Sequence, residues 1–70
     1  MNLIFTKHAL YRIRERGFID IEVIETIKYP DIVIKKDDKY YFRKKIKRGT
    51  IEVICERTER DIKIITVCWY

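Results

Sequence analysis

Two residue types that interrupt regular structure are scarce here: the 70 residues contain one proline and two glycines. With 47% hydrophobic residues, this excludes a disordered tail and points to a tightly connected folded domain. Long apolar runs are missing too. None approaches the ~20 residues of a membrane span, and the first residues carry no signal-peptide pattern. The expectation is a soluble, cytoplasmic protein without a membrane partner. Cysteine is limited to Cys55 and Cys68, and His8 is the only histidine. Two thiols and one distant imidazole supply neither the ligand count nor the spacing of a zinc site, so no metal or other cofactor is expected. Both thiols are expected buried or half-buried on strands. A disulfide would need neighbouring strands, and a cytoplasmic setting argues against it. There is no repeat, linker or low-complexity segment, so residues 1–70 read as one domain. A chain this short buries only about 60% of its unfolded surface, and every apolar element must share one small core.

Charge is plentiful and uneven. The net charge is +5, which favours a polyanionic partner, either nucleic acid or an acidic protein. Residues 31–50 hold eight basic and three acidic groups, whereas residues 1–30 and 51–70 are close to balanced. A Lys- and Glu-rich composition is also a thermophile trait, so the clustering says more than the total.

Thr6–Gly17 reads as a short amphipathic helix over 7–16. Thr6 can cap its start. Gly17 can end it in the left-handed conformation, with Phe18 falling back on Ile13. At 100° per residue Ala9, Leu10 and Ile13 share an apolar stripe, and His8, Arg12 and Arg16 form a second stripe at four-residue spacing. Asp20 is placed to cap a second helix, roughly 21–28. Its apolar face is read as Ile21, Val23, Ile24 and Ile27, with Glu22, Glu25 and Thr26 pointing out. Tyr29-Pro30 stops it.

From Asp31 the period changes to two, and strands are predicted at 32–34, 40–46, 51–56 and 62–69. The second places Tyr40, Phe42, Lys44 and Ile46 on one face and Tyr41, Arg43 and Lys45 on the other. The fourth places Ile62 and Ile64 opposite Ile65, Val67 and Trp69. Short connections favour antiparallel neighbours. The apolar lead-in 2–5 fits either a brief edge strand or a segment packed beneath the first helix. The expected fold is α+β: two N-terminal helices packed on a four-stranded antiparallel β-meander.

The pattern His8-Ala9-x-x-Arg12-x-x-x-Arg16-Gly17, the second helix, the basic hairpin and the closing Ile64-Ile65-Thr66-Val67 resemble a family of small bacterial and archaeal domains of unknown function. That family is grouped with the RelE/ParE-like toxins and the barnase–EndoU–colicin–RelE ribonuclease superfamily. The resemblance covers nearly the whole chain. It implies a RelE-like fold, metal-independent cleavage of RNA, an antitoxin partner, and roles for His8, Arg12, Arg16 and Thr66.

The residues themselves can supply such chemistry. Metal-free RNA cleavage needs a base for the ribose 2′-hydroxyl, an acid for the leaving 5′-oxygen, and cations for the phosphoryl oxygens. Imidazole is the side chain whose ordinary charge change falls nearest neutral pH, so His8 is the candidate acid/base. Arg12 and Arg43 are candidate phosphate clamps. Thr66 can donate to phosphate, and Glu15 can orient His8 or act as a base. Arg16, Lys44, Lys45, Lys47, Arg48 and Tyr41 are candidate nucleic-acid contacts. A bland reading stands beside each. His8 also fits an exposed helix-start histidine, and Arg12 can pair with Glu22 or Glu25. Arg16 can bond the last helix carbonyls, and a lysine-rich hairpin can simply protect an edge. Trp69 and Tyr70 read as packing residues or a homodimer contact ahead of a base-stacking platform. The expected function is a RelE-like, metal-independent endoribonuclease. The alternative is a non-catalytic module whose basic hairpin 43–48 binds nucleic acid or an acidic antitoxin-like protein.

Overall fold

The computed structural model describes residues 2–70. Strand β1 (Asn2–Phe5) leads into helices α1 (Lys7–Glu15) and α2 (Asp20–Lys28). Four strands follow: β2 (Ile32–Lys36), β3 (Lys39–Ile46), β4 (Gly49–Arg57) and β5 (Asp61–Trp69). They form one sheet in the order β1-β5-β4-β3-β2. Pairs joined by short turns are antiparallel, but β1 runs parallel to β5, from Asn2 opposite Asp61 to Phe5 opposite Ile64. The four-stranded antiparallel meander expected from the sequence is therefore wrong. The fold is α+β with a five-stranded mixed sheet, and a strand precedes the helices. Local periodicity cannot show this pairing. A four-residue segment carries one alternation, and its partner lies at the far end of the chain, with both helices and the other strands between them.

Helix α1 forms for local reasons. Thr6 Oγ1 accepts from Ala9 N at 3.1 Å. At the other end Gly17 sits at φ +73°. Phe18 N donates to Ile13 O at 2.9 Å and Gly17 N to Arg14 O at 3.3 Å, the paired bonds of a left-handed helix stop. Ile13 and Phe18 are both buried, as the apolar contact of that motif requires. Leu10, expected on the apolar stripe, is exposed.

Helix α2 differs from expectation at two points. Its cap position is Ile19, one residue before Asp20. Ile19 has no side-chain acceptor, and the Glu22 carboxylate takes the Ile19 N–H instead, at 3.1 Å. Thr26 faces the core and Ile21 faces solvent. Thr26 can be buried because its hydroxyl donates to Glu22 O one turn back, at 2.7 Å, so no polar group goes unpaired.

Both helices lie on one face of the sheet. Ala9, Ile13, Phe18 and Val23 meet Ile51, Val53, Cys55, Ile64 and Val67 there. Strand β5 contributes to this face on both sides of a register shift. Cys55 pairs with Ile64, but Ile54 pairs with Thr66, leaving Ile65 as the extra residue of a bulge. Strict alternation had placed Ile64 and Val67 on opposite faces; the bulge puts both in the core. Cys55 is buried, Cys68 is half-buried, and both are free thiols. No described helix is long and apolar enough to cross a membrane.

Candidate functional site

The polar stripe of α1 forms as a connected cluster. Arg12 Nε donates to His8 Nε2 at 3.5 Å, the long limit of a hydrogen bond. Arg12 Nη1 is held by Glu15 Oε1 at 2.6 Å, and Tyr11 Oη donates to Glu15 Oε2 at 3.0 Å. The Arg12 guanidinium, and then the Tyr11 hydroxyl, hold the Glu15 carboxyl below the usual carboxylate range. Glu15 therefore fixes Arg12 rather than His8, and Arg12 pairs with neither Glu22 nor Glu25. His8 is exposed and Arg12 half-buried. His8 Nε2 thus turns its lone pair towards the Arg12 Nε–H, and Arg12 Nη2 is the end of the guanidinium without a partner among the described residues.

Arg16 continues the stripe onto the sheet. Strand β1 covers only the Asp61–Ile64 part of β5, so the outer carbonyls beyond it need other donors. Thr6 Oγ1 donates to Ile64 O at 2.7 Å, and Arg16 Nη1 to Val67 O at 2.8 Å. The Arg16 guanidinium thus closes a strand edge; it does not bond the last carbonyls of its own helix.

The face of the sheet away from the helices carries the remaining candidates in cross-strand rows. One row is Tyr41, Ile54 and Thr66; the next is Arg43, Glu52 and Cys68. Arg43 Nε donates to Glu52 Oε2 at 2.8 Å. Cys68 Sγ lies 3.6 Å from Glu52 Oε1. The Glu52 hydrogen bond is the main reason the Arg43 guanidinium is held above its usual range. Burial first, and then Glu52, push the Cys68 thiol up, while Arg16 and Arg43 pull it the other way. Thr66 is half-buried in the adjoining row. Among the described residues, no hydrogen bond or ion pair joins His8 or Arg12 to Thr66 or Arg43.

The basic hairpin does not act as one patch. Lys44 points to the helix side, where Nζ donates to Tyr29 O at 2.9 Å, just past the last turn of α2. Arg48 pairs with Glu22 Oε1 at 2.6 Å, donates to Gly17 O at 3.2 Å, and lies 5.3 Å from the Trp69 ring centroid. Both tie the sheet to the helices. Lys45 and Lys47 are exposed with no ion pair among the described residues. Trp69 packs on Phe18, with centroids 4.4 Å apart. Tyr70 does not pack into the core: it is 72% exposed, with its ring 3.8 Å from Arg43 Cζ.

A family model described as a domain of unknown function, DUF4258, matches residues 5–69, nearly the whole chain. The chain belongs to the DUF4258 family. No curated protein and no solved structure matches it.

In this DUF4258 domain, sequence reasoning missed Tyr11, Glu52 and Tyr70 as members of the polar clusters. Tyr11 and Glu15 stand four apart on one helix, a spacing that makes them neighbours. Glu52 and Tyr70 gave no local signal, because each meets Arg43 only across the sheet.

Proposed function

We propose that this DUF4258 domain is a RelE-like, toxin-type endoribonuclease that cleaves RNA by 2′-hydroxyl attack without a metal ion, in the cytoplasm. The observation that carries the reading is the contact between His8 and Arg12, with Glu15 holding the far side of the guanidinium. In this reading the substrate displaces the long Arg12 Nε bond, and His8 Nε2 then takes the 2′-hydroxyl proton. The 2′-oxygen attacks the adjacent phosphorus, the bond to the 5′-oxygen breaks, and that oxygen takes a proton from solvent water. The product is a 2′,3′-cyclic phosphate. The free end of Arg12 faces the phosphoryl oxygens, where developing charge is greatest. Thr66, Arg16 and Arg43 serve the flanking phosphates.

The second reading is a non-catalytic module that binds nucleic acid or an acidic antitoxin-like protein. The exposed ammonium groups of Lys45 and Lys47, which have no ion pair among the described residues, favour it. Incubation of the protein with a mixed RNA in EDTA, beside His8→Ala and Arg12→Ala, separates the two. Cyclic-phosphate ends made by the parent and lost in both variants support the nuclease. Salt-sensitive binding without cleavage, unchanged by His8→Ala, supports the module.

A further inference from the structure

Where β3, β4 and β5 end together, Lys45 pairs with Thr50, and Tyr70 N donates to Thr50 O at 2.8 Å, extending that row by one residue. Beside it opens a cleft of about 220 Å³ between Asp31, Ile32, Arg43, Lys45, Thr50 and Tyr70. Several of its polar groups are already committed. Asp31 Oδ2 accepts from Lys45 N at 2.7 Å, and Arg43 Nε is bound to Glu52. What stays uncommitted among the described residues is specific: both Nη atoms of Arg43, the Lys45 ammonium, and one face of the Tyr70 ring. The other ring face rests on the Arg43 guanidinium.

We infer that this cleft is a nucleotide subsite for single-stranded nucleic acid. A base stacks on the outer face of Tyr70, completing a guanidinium–tyrosine–base sandwich, and its phosphate lies between Arg43 Nη and Lys45 Nζ. An exposed flat ring set beside unpaired cations is the combination that single-strand binding uses, with stacking for the base and charge for the backbone. A second copy of the chain is a poorer occupant, because it would face one stretch of excess positive charge with another. The inference deepens the nuclease reading by adding a subsite beside the Arg43 row, and it rests on that reading only for the choice of nucleic acid.

The test is equilibrium binding of a fluorescein-labelled 2′-O-methyl oligouridylate octamer, which binds but has no 2′-hydroxyl to react. The variants are Tyr70→Ala, Tyr70→Trp and Lys45→Ala. Tyr70 is mostly exposed, so these chains keep the parent's circular dichroism. Tyr70→Ala should weaken binding by about tenfold or more, and Tyr70→Trp should retain it. Lys45→Ala should reduce the salt dependence by about one phosphate contact. Parent-like binding and salt slope in Tyr70→Ala and Lys45→Ala overturn the subsite, as does failure of the octamer to bind at low salt. Cleavage of an all-RNA substrate is scored separately. Tyr70-dependent binding without cleavage keeps the subsite and removes the nuclease; cleavage with Tyr70-independent binding does the reverse.

Discussion

Replacing Arg48 by alanine tests whether the hairpin's cations are structural or functional. The guanidinium makes three contacts that fold the hairpin back on the helices. It pairs with Glu22 at 2.6 Å, donates to Gly17 O at 3.2 Å, and lies over Trp69 at 5.3 Å. An exposed ion pair is worth only about 0–1 kcal/mol. Arg48 is 50% exposed, but Glu22 is 18% exposed, so the pair belongs at the upper end of that range. The contact with Trp69 adds about 0.5 kcal/mol, and the bond to Gly17 O a similar amount. The expected loss is about 1–2 kcal/mol, a fall in Tm of roughly 4–16 °C for a domain of this size. Burial opposes ionisation of Glu22, but Arg48 and the Ile19 N–H outweigh it and hold the carboxyl below its ordinary value of 4.5. A carboxyl held low contributes its stability above the ordinary carboxylate range and loses it as pH falls through the lowered value. The gap between parent and Arg48→Ala should therefore close in acid. Thermal unfolding followed by circular dichroism from pH 3 to 7 reads both effects. Lys45→Ala, measured alongside, should stay within about 0.5 kcal/mol of the parent. If Arg48→Ala melts with the parent at pH 7 and instead loses nucleic-acid binding, the assignment of Arg48 to the helix interface is wrong.

Substitutions at three further positions test the fold that holds the site. Gly17→Ala should cost about 1–2 kcal/mol in urea unfolding, since φ is +73° and an added methyl meets nothing within 4 Å, leaving only backbone strain; a neutral result would refute the left-handed stop. Thr26→Ser, which removes a methyl at 0% exposure, should destabilise by roughly 1 kcal/mol. Thr26→Val should be milder, because hydroxyl and hydrogen bond go while the volume stays. Burial pushes the Cys55 thiol up to about 12. The native state then keeps a proton that the unfolded chain releases, so this contribution is complete below about pH 9 and declines as pH rises towards 12. Urea unfolding at pH 7, 9 and 10 should show that decline in the parent and a flatter one in Cys55→Ala, and Cys55 should resist thiol reagents until the chain unfolds.

What the sequence made legible is local. The Thr6 cap, the Gly17 stop and the His8–Arg12–Arg16 spacing lie within twelve consecutive residues, and each follows from helix geometry. The alternation of Tyr40–Ile46 placed Arg43 and Lys44 on opposite faces, as the register bears out. What was illegible is set by contacts between distant segments. An edge strand is one of the two readings of 2–5 and is what forms, but its parallel pairing with β5 has no local signal, nor has the bulge at Ile65 that brings Ile64 and Val67 onto one face. Thr26 reads as polar until its hydroxyl is seen bonded to Glu22 O. The hairpin reads as uniformly basic until Lys44 and Arg48 are found spent on Tyr29 and Glu22, leaving Lys45 and Lys47. Tyr70, grouped with Trp69 for packing or a homodimer contact ahead of base stacking, separates from it because it extends the β5 row by one residue and successive residues face opposite sides of the sheet.

The central claim is that His8 performs proton transfer in RNA cleavage. The most direct measurement is the single-turnover cleavage rate of an all-RNA oligonucleotide in EDTA, for the parent and for His8→Ala at matched stability. The account predicts cleavage by the parent and a rate lower by about 10²–10⁴ in His8→Ala, the usual share of acid–base catalysis, with binding of the uncleavable octamer unchanged. Equal rates in the two proteins, or no cleavage by the parent over the same time, would contradict it.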